Sequence, residues 1–169
     1  LNPNSRAKLT TVPIPNPDDC AYMLFTSGTT GVPKAVKIAR HSLNAHIKAM
    51  SEELHCTPTD RVLQFTPLHL DPSLEQIFSA LTTGACLVMR GPELWTAQTF
   101  WSQISQYRLS ICDVTPSYLK ELIFSPPTVC PETLRLMLVG GEAMPIELAV
   151  EWRQSTLGQI ALLNAYGLT

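Results

Sequence analysis

What this sequence has little of narrows its class first. Charged residues make up only 15% of it, with 12 Lys and Arg against 14 Asp and Glu, for a net charge of −2. Without a basic excess there is no electrostatic case for a nucleic acid or an anionic membrane as partner. No apolar run reaches membrane-spanning length, and no basic-plus-apolar segment of signal-peptide type opens the chain. The five cysteines (Cys20, Cys56, Cys86, Cys112 and Cys130) contain no C-x-x-C pair, and no metal-ligand spacing is present. An odd, scattered set of this kind predicts reduced thiols acting as small buried hydrophobes in a cytoplasmic protein. The Walker pattern G-x-x-x-x-G-K-[ST] is missing. His41, His46 and His55 lack a partner motif and read as surface or packing residues. An initiator Met is absent too: the chain runs from Leu1 to a motif cut short at Thr169, so it is expected to be excised from something longer.

The 169 residues are 45% apolar, a globular composition with enough length for a core. Residues 1–17 carry Pro3, Pro13, Pro15 and Pro17 and read as a connecting segment. From Cys20 onward short apolar runs alternate with helical periods. Strands are expected at 21–26, 35–38, 61–66, 85–89, 109–114, 134–139 and 160–164, the first of them buried. A helix over 41–54 sets Leu43, Ile47, Met50 and Leu54 on one face. After Asp71 as N-cap and Pro72 as first helical residue, Leu74, Ile77, Phe78 and Leu81 fall at i, i+3, i+4 and i+7, and Gly84 ends the helix. Thr115-Pro116 repeats the cap-then-proline start ahead of Leu119, Leu122 and Ile123. Helices are also expected around Phe100, Ile104 and Tyr107 and over 145–154. The alternation predicts an α/β fold, a mostly parallel sheet flanked by helices, with ligands at the carboxyl ends of the strands.

One loop stands out chemically. Within the nine residues 26–34 lie four hydroxyls (Thr26, Ser27, Thr29, Thr30), two glycines (Gly28, Gly31) and Lys34. Glycines let backbone N–H groups turn inward to form an anion site, hydroxyls add donors, and the lysine supplies a point charge, which together suit a polyphosphate. A Gly/Thr-rich surface hairpin turn is the plainer reading.

The order of residues in this loop, TSGTTGVPKAV, resembles the phosphate-binding signature of the adenylate-forming superfamily: acyl-CoA ligases, luciferases and the amino-acid adenylation domains of nonribosomal peptide synthetases. Ala35 departs from the usual glycine. The resemblance continues in order. The stretch LDPSLEQIFSALTTGA from Leu70 is similar to the segment beginning Phe-Asp-x-Ser in amino-acid-activating members, with Leu70 in place of the aromatic residue. LVGGEAM from Leu138 resembles the adenine-contacting Gly-Gly-Glu turn, and NAYGLT from Asn164 the Asn-x-Tyr-Gly-x-Thr stretch.

The resemblance implies that the chain is the central part of the large N-terminal domain of such an enzyme, with residues 18–169 a partial adenylation domain. It also implies a role for each matching residue. Ser27, Thr29, Thr30 and Lys34 hold the β- and γ-phosphates of ATP, within a loop that includes Thr26, Gly28 and Gly31. Gly140, Gly141 and Glu142 meet the adenine. Asn164, Ala165, Tyr166 and Gly167 surround the same ring, and Thr169 reaches the α-phosphate. Asp71 pairs with a substrate ammonium, a charge that leaves water only for an opposite one; the same residue also suits a helix cap. Pro72, Glu75, Asp113, Leu138, Gly140 and Ala165 line the substrate pocket, where Glu75 and Asp113 hint at a basic or polar side chain; solvation of a helix surface also explains Glu75. Lys34 and Thr169 are the expected catalytic contacts, and no metal ligand is expected within the chain, the Mg²⁺ glutamate lying past its end. The implied reaction is ATP-dependent activation of a carboxylate, with later transfer to a carrier protein's phosphopantetheine arm or to coenzyme A. An acyl- or aryl-CoA ligase and a non-catalytic nucleotide-binding fragment are the alternatives, and residues 1–169 alone are expected to be inactive.

Overall fold

The computed structural model describes residues 14–26 and 31–167. Its first two strands, β1 (Cys20–Thr26) and β2 (Lys34–Ala39), form an antiparallel hairpin of their own, from Cys20 opposite Ala39 to Thr26 opposite Lys34. The expectation of a buried first strand fails here. Side chains alternate across a hairpin, and Met23 and Phe25 on its outer face are 57% and 70% exposed. Helix α1 (Arg40–Glu53) comes directly after β2 and lacks a side-chain cap. Its first N–H groups are instead taken by backbone carbonyls of the preceding segment, Arg40 donating to Asp19 (2.9 Å) and His41 to Pro17 (2.9 Å). Of the expected connecting segment, residues 14–17 are among those described, and they are exposed and form neither helix nor strand.

The remainder is a five-stranded, wholly parallel sheet of order β4-β3-β5-β6-β7. Its strands are β3 (Arg61–Gln64), β4 (Cys86–Met89), β5 (Ile111–Val114), β6 (Leu136–Val139) and β7 (Ala161–Asn164). The intervening helices are α2 (Asp71–Thr83), α3 (Ala97–Tyr107), α4 (Pro116–Phe124) and α5 (Ile146–Gln154). Thr115 caps α4 as the Thr-Pro pair predicts, accepting from the Tyr118 N–H (3.3 Å). Gly84, at φ +79°, closes α2.

The two-residue period of the strands divides the core between the two faces. Leu63, Cys112, Val114, Met137 and Val139 point to one side, where α3, α4 and α5 bring Phe100, Trp101, Ile104, Leu119, Leu122 and Trp152. Val62, Ile111, Leu136 and Leu138 point to the other, against Leu54 and Ala80 of the α1 and α2 region. This second side is smaller and more polar. The buried residues of α2 are Ser73, Gln76, Ser79 and Ala80, while its apolar stripe is half-buried at Leu74, Ile77 and Phe78 and 58% exposed at Leu81. The apolar period located the helix but not the face that packs on the sheet.

Two further expectations are corrected. Leu70, extended, occupies the cap position of α2, and Asp71 is its first helical residue; the Ser73 hydroxyl closes the turn onto the Leu70 carbonyl (2.6 Å). Of the five cysteines, all free, only Cys112 is buried, and Cys86 on the edge strand β4 is exposed.

The amino edge of the sheet carries a charged knot. Asp60, 5% exposed just ahead of β3, accepts from Arg135 Nε and Nη2 (both 2.9 Å), the Ser110 hydroxyl (2.7 Å) and the Thr57 N–H (2.8 Å). Burial alone would raise its pKa, but these donors outweigh burial and hold the carboxyl well below the usual range.

Candidate functional site

Parallel strands gather the residues after their carboxyl ends at one edge of the sheet. Here that edge carries Asp113 in β5, the turn after β6 and the residues after β7. Register sets Asp113 beside Leu138 and Val139 beside Asn164. Two backbone bonds extend the ladders past the strands, Gly140 N–H to Val114 (3.1 Å) and Ala165 N–H to Val139 (2.8 Å). Gly140 is needed for this approach: a Cβ there would lie 2.9 Å from the Ala165 carbonyl oxygen. Gly141 turns at φ +82°, which favours glycine. Asn164, Gly167 and Tyr166 (88% exposed) form an open shelf, with no atom within 4 Å of where a Gly167 Cβ would stand. The Glu142 carboxylate is engaged within the protein, accepting from the Ser117 N–H (3.1 Å) and hydroxyl at the start of α4. What this turn offers a ligand is therefore backbone.

Asp113 sits on the α1/α2 face of the sheet. Its Oδ2 accepts from Gln76 Nε2 (3.0 Å). That amide has one possible orientation, because its Oε1 accepts from the N–H groups of Phe65 (2.9 Å) and Thr66 (3.2 Å) while Nε2 also donates to Thr66 Oγ1 (2.9 Å). Burial pushes the Asp113 carboxyl up to about 7; Gln76 works against this, and the neighbouring Glu75 charge adds to it. Glu75 in turn meets His46 Nε2 of α1 (3.0 Å). Glu75, Gln76 and Asp113 share a narrow crevice with apolar walls that include Val62, Ile111 and Leu138.

The structure thus brings Glu75, Asp113 and Leu138 together, and sets Gly140 against Ala165 beside them. Asp71 and Pro72 open α2 without lining that crevice. Asp71 lies near the hairpin: the Tyr22 hydroxyl is pushed above its usual range by partial burial and then by the Asp71 charge. Gly31 (φ +79°) and Lys34 are exposed on the hairpin, where the Thr26 hydroxyl reaches the Lys34 carbonyl (3.4 Å). Ser27, Gly28, Thr29, Thr30 and Thr169 lie outside the described residues. Sequence reasoning missed Gln76 and the His46–Glu75 pair. A polar residue on the same helical face as Ser73 and Ala80 was a usable signal for Gln76; nothing local joins His46 to a residue 29 positions on.

Among the described residues no helix is long and apolar enough to cross a membrane, and no group of three or more His, Cys, Asp or Glu side chains could hold a metal ion. A model of the family described as AMP-binding enzyme matches residues 2–169. The chain is 34% identical over 156 residues to an isonitrile lipopeptide synthase of Streptomyces coeruleorubidus, a match covering 90% of this chain and 11% of that protein. It superposes on a Vibrio cholerae adenylation domain in complex with glycyl-adenosine-5'-phosphate with a TM-score of 0.80 and 30% identity, over 92% of this chain and 29% of that one. With o-succinylbenzoate coenzyme A synthetase from Bacillus subtilis, in complex with ATP and magnesium ion, the TM-score is 0.78 and the identity 25%, over 90% of this chain and 31% of that one. The chain thus spans under a third of each of these three proteins.

Proposed function

Because the chain belongs to the AMP-binding enzyme family of adenylate-forming ligases, we propose that it activates an amino acid as the acyl-adenylate, with release of pyrophosphate, for transfer to a carrier protein's phosphopantetheine thiol. The observation that carries this reading is the convergence of Asp113, Gly140 and Asn164 on one sheet edge, in a fold shared with a domain that binds a glycyl adenylate. Residues 18–169 then form part of an adenylation domain, with 1–17 a connecting segment.

In this reading the chain binds and aligns, and the chemistry is a displacement at phosphorus. A carboxylate oxygen attacks the α-phosphate of ATP, and the bond to pyrophosphate breaks. Holding the two partners in line and offsetting the charge that builds up are the main contributions a protein makes to such a step. Thr26 to Gly31 and Lys34 grip the β- and γ-phosphates, and Thr169 the α-phosphate. The exposed Tyr166 supplies a face for the adenine, Asn164 and Ala165 its polar edge, and the bare backbone of Gly140, Gly141 and Gly167 room to lie flat; Glu142 acts by fixing the turn. Asp71 pairs with the α-ammonium group, and Pro72, Glu75, Asp113, Leu138, Gly140 and Ala165 shape the side-chain pocket.

Amino-acid-dependent ATP–pyrophosphate exchange by the full-length enzyme tests the reading. Exchange is expected with an α-amino acid and is expected to fall by about 100-fold in Lys34→Ala, the size of effect seen when one charge-stabilising contact is removed. A second reading, an acyl- or aryl-CoA ligase, draws on the likeness to the coenzyme A synthetase. Exchange with aryl or fatty acids and with no amino acid would replace the first reading by the second.

A further inference from the structure

The charges around the crevice do not balance. Glu75 has His46 at its rim, whereas Asp113 has only the neutral amide of Gln76. Elsewhere this protein supplies a guanidinium to a buried carboxylate, as Arg135 does for Asp60. The fixed orientation of Gln76 presents a donor to Asp113 Oδ2, which favours the ionised form, and Oδ1 has no hydrogen bond among the described residues. A carboxylate kept ionisable in an apolar crevice without a cation leaves its strongest interaction to a group from outside. Gln76 already occupies Oδ2, so Asp113 offers a single open oxygen, which suits the point charge of an ammonium and not the two-pronged fork of a guanidinium.

We propose that this pocket selects an amino acid whose side chain ends in a primary ammonium, with Asp113 as its counter-ion and His46 as a positioning residue that holds the Glu75 carboxylate at the rim. The proposal rests on the amino-acid-activating reading. The raised Asp113 pKa agrees with it: an arriving cation removes the penalty that burial and Glu75 impose.

The test is pyrophosphate exchange by the full-length enzyme with lysine, ornithine and 2,4-diaminobutyrate against norleucine, glutamine, glutamate and arginine. One of the ω-amino acids is expected to lead norleucine by at least about 30-fold in kcat/KM, the scale for pairing a buried charge. Asp113→Asn is expected to erase that lead, bringing kcat/KM for the ω-amino acid down to the level of norleucine. His46→Gln is expected to raise KM for the ω-amino acid several-fold with kcat and the KM for ATP unchanged, and carries the test if Asp113→Asn does not fold. A neutral or acidic amino acid in the lead, or arginine, overturns the proposal, as does a lead that survives Asp113→Asn. A His46→Gln loss spread equally over all amino acids overturns the positioning role. Exchange confined to acids without an α-amino group overturns the underlying reading instead.

Discussion

Two aspartates of the parallel sheet region, Asp60 buried and Asp113 half-buried, meet opposite fates. Asp60, at the amino edge, is wrapped by a guanidinium, two hydroxyls and an N–H, and its pKa is driven down. Asp113, toward the carboxyl edge, has one amide, and its pKa rises to about 7. Asp60 also ties the sheet to α1, because the arginine that holds it caps the Leu54 and His55 carbonyls (3.0 Å each). The first aspartate is satisfied by the fold and serves it. The second costs the fold stability, which makes sense where a ligand completes the site.

The largest expected effect breaks the amino-edge knot. Arg135→Met leaves Asp60 buried without its cation and two helix carbonyls uncapped, and should cost about 3 kcal/mol in urea unfolding, toward the lower end for a buried pair because Arg135 is 39% exposed. A pH-dependent effect separates the two aspartates. The raised Asp113 pKa contributes stability that is full below about pH 4, its unfolded value, and is lost as pH rises through about 7. The lowered Asp60 pKa works in reverse, contributing above about pH 4 and losing that contribution as pH falls further. Asp113→Asn should therefore flatten the decline in stability between pH 4 and 7 and leave the acid limb in place, as a series of urea titrations would show. The smallest effect belongs to His46→Ala, within about 0.5 kcal/mol of the parent, since a pair with a half-exposed histidine adds little. A loss of about 2 kcal/mol there, well above the range for an exposed pair, would make His46 a structural residue.

The strand–helix alternation and the order of the motifs made the parallel sheet legible, along with the edge at which its ligand-facing residues collect. Short apolar runs do not distinguish a parallel strand from a hairpin arm, so the β1–β2 pair was legible only through the Gly/Thr-rich turn between its strands. Periodicity marked α2 through Leu74, Ile77, Phe78 and Leu81, yet the sheet packs on the opposite face, where Gln76 satisfies the backbone of Phe65 and Thr66 as well as Asp113. Apolar stripes report a helix's period; which face is buried depends on the polar groups its neighbours must satisfy. Pairs such as Arg135 with Asp60, 75 residues apart, have no local sign at all.

Trapping the activated acid with hydroxylamine tests the central claim most directly. The full-length enzyme given ATP and an α-amino acid should yield the aminoacyl hydroxamate, and none without ATP. Hydroxamate formed from aryl or fatty acids but never from an amino acid would contradict it.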